Sequence, residues 1–367
     1  MKNSFGTSVA VTLFGESHGE MIGAVLDGMA PGIPIDPAYL AHRMRLRQGA
    51  AALSTSRREP DEVRIVSGVR DGVTTGTPIT LLIENTNTHS ADYGEMATVA
   101  RPGHADYTAF CKYHGYADER GGGHFSGRIT AGLVAAGAVA LTALSRLGIR
   151  VGAHVAACAG IPDRRFSPDP TAELDALAER DFAVLDEGCG ERMKEAILTA
   201  REAGDSVGGI LEVAVTGLPG GVGEPWFDTV EGVLSHILFS VPAVKGVEFG
   251  DGFALADMRG SEANDPFRME GGRVVTETNR AGGILGGITS GMPLLIRCAI
   301  KPTPSIYKPQ MTVDFAKGEE RELTVRGRHD PAIVHRARAV LESAVALALC
   351  DLLALRFGTD YLQGPQK

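Results

Sequence analysis

The sequence predicts a mixed α/β class, with sheets and large helices in an α+β arrangement. Short stretches of alternating or β-branched apolar residues, such as SVAVTLF at 8–14, are typical of strands. Longer apolar stretches at 130–147 and 332–357 are typical of helices. The two kinds of segment mix without the strict alternation of a doubly wound parallel sheet. We therefore expect large helices packed on sheets.

The N-terminal part of the chain predicts a hairpin followed by a helix. Residues 20–33 contain three glycines and a proline, which disfavour a helix and favour a second strand and a turn. The segment 36–49 is typical of a helix, because Asp36 can cap its first turn, Pro37 fits that turn and Gly49 fits its end. Further strands are predicted at 63–69 and 79–84.

The remaining elements follow from the same patterns. The last helix contains Glu342 and Asp351, so it is interpreted as a buried helix and not as a membrane span. Helices are predicted at 130–147, 187–203, 228–239 and 332–357, and strands at 208–217, 244–250, 273–278 and 293–301.

The composition indicates a soluble globular protein. Of the 367 residues, 44% are hydrophobic and 22% are charged. The formal net charge is −9, which argues against nonspecific nucleic-acid binding, because phosphate backbones favour basic surfaces. The 47 glycines are spread along the chain without a linker or a repeat. We therefore expect a single domain over residues 1–367.

Cysteine usage indicates a reducing compartment. The five cysteines are an odd number without a C-x-x-C pair, which argues against a disulfide framework and against a structural zinc site. Residues 1–20 lack the apolar core of a signal peptide. We expect a cytoplasmic location, no membrane partner and no metal. The cysteines are Cys111, Cys158, Cys189, Cys298 and Cys350.

The segment GESHG at 15–19 fits the pattern of a serine-hydrolase nucleophile elbow. That elbow requires a helix directly after the serine, whereas a strand is predicted here. The hydrolase fold also places several strands before the nucleophile, and only 16 residues precede Ser17. A hydrolase is therefore disfavoured. His18 remains as a histidine in a glycine-flanked turn, which by itself is typical of a surface turn.

Other segments contribute cations and a second imidazole. His104 lies in the turn-forming segment RPGHADYT, and the triple glycine at 121–123 can bring backbone amides close to an anion. The segment 39–60 contains five arginines and one acid. Such a cluster is either a solvated helix face or an anion-binding funnel, and the lack of a balancing acid nearby favours the funnel. The arginines are Arg43, Arg45, Arg47, Arg57 and Arg58.

Two late motifs add further polar groups. KPTPS at 301–305 offers a lysine and two hydroxyls that can hold a phosphate. In RGRHDPA at 326–332, Arg328 and Asp330 either form a plain ion pair or serve a site. Spacing alone allows a polyanion-binding enzyme with histidine acid–base groups, and it does not identify the substrate.

Six motifs, taken together and in order, resemble the chorismate synthase family from about residue 5 to residue 355. The resemblance implies the anti 1,4-elimination of phosphate from 5-enolpyruvylshikimate 3-phosphate to give chorismate, with reduced FMN required. It also implies a sandwich of β-sheets flanked by helices and a homotetramer. The chain shows no obvious added reductase segment, so we expect an external flavin reductase or reductant. The motifs are GESHG, RPGHADYT, RGGGHFSGR, AGGILGGITSG, KPTPS and GRHDPA.

The same resemblance implies roles for individual residues. His18 exchanges protons with the flavin, His104 protonates the leaving phosphate, and Asp330 helps to deprotonate flavin N5. Ser17 becomes a neighbour of the substrate rather than a nucleophile. Substrate anions are expected at Arg47, Arg101, Arg128 and Arg328, and the flavin at Arg47, Ser126, Ala243, Gly287, Lys301, Thr303, Ser305 and Arg328.

The chain also departs from the pattern of many family members. Leu46 interrupts an arginine run, and Leu53 lies in a segment where many members have a further arginine. His124 and Phe125 replace an Arg-Ser pair, and Ile129 replaces an acid. These departures leave an alternative open, a catalytically impaired homologue that binds flavin and anions.

Overall fold

Two five-stranded sheets form the framework of the chain. The structure, a computed structural model, describes residues 2–49, 53–54, 60–86, 98–325, 327 and 329–365. In chain order the strands are β1 (Ser4–Phe5), β2 (Ala10–Gly15), β3 (Met21–Asp27), β4 (Val63–Ser67), β5 (Val69–Arg70), β6 (Val73–Thr74), β7 (Ile79–Glu84), β8 (Arg150–Cys158), β9 (Ile161–Pro162), β10 (Gly209–Thr216), β11 (Val244–Phe249), β12 (Phe267–Glu270), β13 (Arg273–Thr276), β14 (Ile284–Leu285), β15 (Ile288–Thr289), β16 (Leu294–Ile300), β17 (Gln310–Asp314) and β18 (Glu319–Leu323).

Every described strand pair is antiparallel. The first sheet has the order β1-β2-β3-β7-β4, and the second has the order β11-β16-β10-β8-β9. The other strands form two-stranded hairpins, namely β5–β6, β12–β13, β14–β15 and β17–β18.

Long helices lie between the two sheets. α3 packs against β2, β3 and β7 of the first sheet, α8 packs against β8 and β10 of the second, and α3 and α8 pack against each other. The helices are α1 (Pro37–Gln48), α2 (Asp106–Tyr113), α3 (Thr130–Arg146), α4 (Thr171–Leu177), α5 (Glu187–Glu202), α6 (Val230–Leu238), α7 (Gly260–Ala263) and α8 (Val334–Phe357).

Small residues allow α3 and α8 to cross closely. Gly137 of α3 lies against Ser343 of α8, and a Cβ atom placed on Gly137 would lie 2.1 Å from Ser343 Cβ. Most side chains of both helices are buried, which explains why their sequences are apolar on nearly every side. The segment Gly127–Arg146 is long and apolar enough to cross a membrane, but 83% of it is buried inside the fold.

The predicted mixed class of sheets and long helices is confirmed. The hairpin predicted after residue 8 is formed by β2 and β3, with Gly15 opposite Ile22. The cap predicted for α1 is also present, because the Asp36 side chain accepts a hydrogen bond from the Ala38 amide at 2.8 Å. Gly49 ends that helix with a φ of +73°. The N-terminal prediction therefore holds in both its elements.

Some elements were not predicted. The sequence of β8, RVGAHVAAC, is rich in alanine and contains a glycine, so it lacks the β-branched signal of a strand. It becomes a strand because it pairs with β10 along most of its length. Tertiary pairing thus overrides a weak local preference. The helices α2 and α4 are short and were also missed.

Candidate active site

A cavity of about 1270 Å³ opens between the two sheets. Its wall includes Leu13 of β2 in the first sheet and Val244 of β11 in the second. Seven of the predicted site residues line it, namely His18, Arg101, His104, Ser126, Ala243, Lys301 and Ser305. Among the described residues, the lining does not include Ser17, Arg47, Arg128, Gly287, Thr303 or Asp330.

The His18 turn, Gly15–Glu20, joins β2 to β3 and carries both Ser17 and His18. Both side chains are buried. The Ser17 hydroxyl donates to the carbonyl oxygen of Arg120 at 3.2 Å and lies 3.2 Å from His18 Nδ1. Because the hydroxyl has one proton, His18 Nδ1–H is the donor to Ser17 Oγ. This leaves Nε2 as the basic nitrogen of the His18 ring.

The structure excludes the hydrolase interpretation of GESHG. The element after Ser17 is strand β3, as predicted, and not the helix that a nucleophile elbow requires. The Ser17 hydroxyl is held by a backbone carbonyl. Ser17 therefore supports the His18 ring instead of forming a nucleophile.

The triple glycine segment lies close to the His18 ring and its turn. Gly121, Gly122 and Gly123 all have positive φ angles, which side chains rarely adopt. A Cβ atom on Gly121 would lie 2.0 Å from His18 Cε1, so only hydrogen fits at that position. Gly123 also accepts a hydrogen bond from the Ser17 amide at 3.1 Å. The glycines predicted to approach an anion thus approach an imidazole.

His104 is a half-buried imidazole beside two cations. Its Nδ1 lies 3.3 Å from the Pro102 carbonyl oxygen, which can only accept, so Nδ1 carries the proton. Its Nε2 then accepts from the Ser305 hydroxyl at 2.9 Å. Burial, together with the positive charges of Arg101 and Lys301, lowers the pKa of His104 from 6.5 to about 4. His104 is therefore neutral at neutral pH.

The two cations beside His104 are held by the chain itself. Arg101 donates to both carboxylate oxygens of Asp106, at 2.8 and 2.7 Å, in a bidentate pair. Lys301 donates through Nζ to the Gly103 carbonyl oxygen at 2.5 Å. A carbonyl leaves the lysine charge uncompensated. The KPTPS and RPGH segments thus meet at one wall of the cavity.

Ser126, Ala243 and Thr303 were all predicted to contact flavin, and they differ in their surroundings. Ser126 lines the cavity and accepts a hydrogen bond from the Arg128 amide at 3.2 Å. Ala243 has a φ of +74°, a strained conformation for alanine that is typical of functional sites. The Thr303 hydroxyl is buried without a partner in the described chain and faces a smaller neighbouring cavity.

Gly287 lies away from the cavity. A side chain at this position would collide with Thr229, 2.5 Å from its methyl carbon, and with the Glu224 carbonyl oxygen at 2.7 Å. The glycine was predicted to give room to a flavin, but its close neighbours in this chain are its own residues. Those contacts explain the glycine, and its predicted contact with flavin has no support from the cavity.

Arg47 and Arg128 share one buried carboxylate. Asp61 accepts from Arg47 Nη2 at 2.5 Å and from Arg128 Nη1. Burial acts to raise the pKa of Asp61, but the two arginines outweigh it and hold that pKa below its usual value. The group of three retains one net positive charge. This group lies in the protein interior, and neither arginine lines the cavity. The resemblance, in contrast, implies that both arginines contact anions of the substrate.

Asp330 is paired with Arg336, and the possible ion pair with Arg328 involves a residue outside those that the structure describes. Its carboxylate accepts a hydrogen bond from Arg336 Nη1. Arg336 also donates to the Arg47 carbonyl oxygen at 3.2 Å, so the two regions are connected. Arg328, predicted to contact substrate and flavin, lies outside the described residues, as do Arg57 and Arg58.

The arginine-rich segment of α1 is not the anion funnel that the sequence favoured. Arg43 is buried and forms an ion pair of 2.6 Å with Glu342 of α8. Arg45 lies near Glu179, and Arg47 is paired with Asp61. Glu342 and Glu179 come from distant parts of the chain, so a charge count over neighbouring residues could not find them. Asp61 lies one residue beyond the segment 39–60 in which the charges were counted.

Three functional candidates were not predicted from the sequence. His329 lines the cavity, and its Nδ1 is buried without a hydrogen-bond partner among the described atoms. Burial and then Arg101 lower the pKa of His329. Asp61 and Asn85 contact predicted site residues but belong to no recognised motif. Only His329, within GRHDPA, had a signal that could have identified it.

A comparison with known protein families decides the identity of the fold. A family model described as chorismate synthase matches residues 9–354. The chain belongs to the chorismate synthase family. The chorismate synthase of Thermococcus gammatolerans is 50% identical over 354 residues, covering 96% of this chain and 97% of that protein. That of Thermococcus kodakarensis is 48% identical over 351 residues, covering 96% and 97%.

A solved structure supports the same assignment. It is described as the crystal structure of a chorismate synthase and matches this chain with a TM-score of 0.77 at 28% identity. The match covers 97% of this chain and 94% of that one. The resemblance predicted from six motifs is confirmed. Membership of the chorismate synthases makes this chain a member of an enzyme family, one of lyases in the shikimate pathway.

Proposed function

We propose that the chain converts 5-enolpyruvylshikimate 3-phosphate to chorismate and phosphate by an anti 1,4-elimination that requires reduced FMN. The observation that carries the proposal is the cavity wall at which His104, Arg101 and Lys301 meet. It faces the same cavity as His18. Two imidazoles and two cations in one large cavity suit a reaction in which an anion leaves.

The charge of the wall suits the substrate. The substrate has two carboxylates and one phosphate, and cations in a partly enclosed cavity attract such anions strongly. Lys301 and Arg101 lie beside His104, whose pKa they help to lower to about 4. A bound phosphate would reverse that effect, because an opposite charge nearby favours the protonated ring. His104 then donates its proton to the departing phosphate oxygen.

The described residues fit the flavin that the family implies. Ser126, Ala243, Lys301 and Ser305 line the cavity, and the buried Thr303 hydroxyl has no partner in the described chain. These residues would hold FMN against the apolar part of the wall. When bound, reduced FMN supplies the electron density and the hydrogen acceptor that a non-acidic C–H bond requires. His18, which lines the same cavity as His104, would hold or move a proton at Nε2.

An anaerobic assay tests the proposal. The purified chain is incubated with the enolpyruvyl substrate and photoreduced FMN, and phosphate release and chorismate absorbance are followed. We expect turnover with reduced FMN and none with oxidised FMN or without flavin. Turnover without any flavin, or no turnover with reduced FMN and bound substrate, would contradict the proposed reaction.

A second candidate is a homologue that binds flavin and substrate without catalysis. His124 and Phe125 motivate it, because both line the cavity and both replace residues of many members. His124 Nδ1 donates to the Gly15 carbonyl oxygen at 2.8 Å, so it supports the His18 turn in this chain. Binding of both ligands without product under the same assay would favour this candidate.

We also propose a homotetramer, for which an exposed hairpin gives support. Phe267, Met269 and Val274 of β12–β13 are each more than 60% exposed. Because Met269 lies directly opposite Val274 and two residues from Phe267, the three share one face. Apolar faces of this kind mark contact surfaces. Light scattering should give the mass of four chains, and Met269→Glu should lower it.

The source of reduced flavin and the location remain parts of the proposal. All five cysteines are free, which supports a reducing compartment such as the cytoplasm. We propose that an external reductase or reductant supplies the reduced flavin. Adding NADPH to the pure chain with oxidised FMN should leave the flavin absorbance unchanged, and bleaching would contradict an external source.

A further inference from the structure

Asn85 forms hydrogen bonds with both ends of the His18 turn. It follows the last residue of β7 and is half-buried. Its side-chain Nδ2 donates to the Glu16 carbonyl oxygen at 3.0 Å and to the Gly19 carbonyl oxygen at 2.9 Å. These two carbonyls stand on either side of Ser17 and His18. One amide group therefore joins both ends of the turn that carries the imidazole.

The Asn85 backbone reinforces the same contact. Its amide N–H donates to the Glu20 carbonyl oxygen at 3.1 Å, which continues the pairing of β7 with β3. Asn85 thus makes three hydrogen bonds to the His18 turn. Each bond uses a carbonyl of that turn as acceptor, so only the donor end of the side-chain amide can face it.

Arg128 fixes which end of the Asn85 amide faces the turn. Arg128 Nε donates to Asn85 Oδ1 at 3.0 Å, so a reversed amide would place two donors together and an oxygen against two carbonyls. The other nitrogens of Arg128 donate to Asp61 and to the Glu84 carbonyl oxygen at 3.1 Å. With all three nitrogens engaged, the guanidinium holds one orientation.

The position of His18 is sensitive to this support. Gly121 and the Ser17 hydroxyl contact one side of the ring, and the backbone of the turn sets the position from which the His18 side chain extends. A displacement of about 1 Å in a reacting group can lower turnover by as much as 100-fold. We infer that Asn85 is a positioning residue for His18, and that Arg128 acts through Asn85 instead of contacting the substrate. This inference rests on the proposed function of His18.

Steady-state kinetics of Asn85→Ala test the inference. We expect kcat to fall about 10- to 100-fold while KM for the enolpyruvyl substrate changes less than about threefold. Asn279→Ala is the matched control, because Asn279 Nδ2 donates to the Pro293 carbonyl oxygen at 2.8 Å away from the cavity. The control should keep the native kcat. An unchanged kcat in a folded Asn85→Ala protein overturns the inference.

Asn85→Asp keeps the test decisive if the alanine variant folds poorly. The aspartate retains an acceptor for Arg128 but loses both donors to the turn. It should therefore lose kcat as Asn85→Ala does. Native kcat in this variant would mean that the donors to Glu16 and Gly19 are not needed.

Arg128→Lys separates positioning from direct binding. If Arg128 acts through Asn85, the double variant Arg128→Lys/Asn85→Ala has nearly the same kcat as the single variant with the larger effect. A residue that binds the substrate itself would instead raise KM at least tenfold in Arg128→Lys, and this result would overturn the second part of the inference.

A readout without turnover separates this inference from the proposed function. The imidazole resonances of His18 are followed by NMR against pH and assigned with His18→Ala. Asn85→Ala should shift the His18 resonances, and Asn279→Ala should not. If the native chain turns nothing over, the proposed function fails, and these spectra still decide whether Asn85 positions His18. Unshifted resonances in Asn85→Ala would refute it.

Discussion

His104 is a half-buried imidazole and His154 is a fully buried one, and they differ in the charge of their neighbours. His104 lies at the cavity beside Arg101 and Lys301, and its pKa is lowered to about 4. His154 lies in the second sheet, 3.0 Å from an oxygen of Asp163 and 3.0 Å from an oxygen of Glu212. Burial acts to lower the pKa of His154, but the hydrogen bonds that the ring donates to the two carboxylates outweigh it and raise that pKa.

The difference between these two regions shows how a histidine at a candidate site can be distinguished from a histidine with a structural role. Both ring nitrogens of His154 face carboxylates of the chain itself, so its charge is balanced and it serves the fold. Beside His104, Arg101 is paired with Asp106, whereas Lys301 contacts a backbone carbonyl, so a group from outside the chain can balance the lysine charge. Burial acts to lower the pKa of both histidines, and the sign of the neighbouring charge decides the direction of the final shift.

The largest expected effect is the loss of either cavity imidazole. His104→Ala and His18→Ala should each lower kcat at least about 100-fold, because general acid–base help is lost. The anaerobic chorismate assay measures this. His42→Ala, on α1 outside the described cavity lining, should keep the native rate. Near-native rates in both His104→Ala and His18→Ala would contradict the catalytic role proposed for the cavity imidazoles.

A second effect comes from crowding the His18 ring. Gly121→Ala places a Cβ atom 2.0 Å from His18 Cε1 and should lower kcat about 10- to 100-fold. Gly160→Ala is its control, because Gly160 has a similar φ of +78° with nothing within 4 Å of the added atom. Both variants are strained, so an equal loss of kcat would show that strain and not the His18 contact is responsible.

His154, whose charge is balanced by Asp163 and Glu212, should affect stability and not catalysis. Glu212→Gln removes the negative charge of one partner of His154 and should lower the free energy of unfolding by about 1–3 kcal/mol with native kcat. Denaturant unfolding measures the loss. Glu191→Gln, at an exposed pair with Lys194, should change the free energy by less than about 1 kcal/mol.

The same variant has a predicted pH dependence. The raised pKa of folded His154 gives stability that is complete below the unfolded value of 6.5 and is lost as pH rises through the folded value. Melting temperatures measured from pH 6 to 9 should therefore fall less steeply in Glu212→Gln than in the native chain. Equal slopes would mean that Glu212 does not hold the His154 proton.

The smallest expected effect is proton uptake at the cavity. Because free His104 has a pKa of about 4, substrate binding near pH 6 should take up as much as about one proton as the phosphate arrives. Calorimetry in buffers of different ionisation enthalpy measures it. His104→Ala should remove most of this uptake, and unchanged uptake would assign the proton to another group.

The sequence predicted elements with strong local signals. The α1 cap at Asp36, the β2–β3 hairpin and the helices α3 and α8 were found because their turn residues or apolar periods lie within a few positions. The strand β8 was missed because its identity depends on pairing with β10, which lies about 50 positions later.

The residues of the candidate site also fall into two groups, those that sequence motifs predicted and those that were missed. Motif residues such as His18, His104 and Lys301 were predicted through the family resemblance, and they meet at the cavity. Asp61 and Asn85 were not predicted, because their roles arise from contacts with Arg128 across distant parts of the chain. Glu342, the charge partner of Arg43, was missed for the same reason, since it lies almost 300 positions from Arg43.

The close crossing of α3 and α8 has a consequence for the width of the cavity. His18 belongs to the first sheet, whereas Lys301 follows β16 of the second, and these two helices are the layer that separates the sheets. Gly137 sets how near the helices come. The distance between the two walls of the cavity therefore depends on a glycine in the core, and a bulkier residue at position 137 should move the walls apart without lining the cavity.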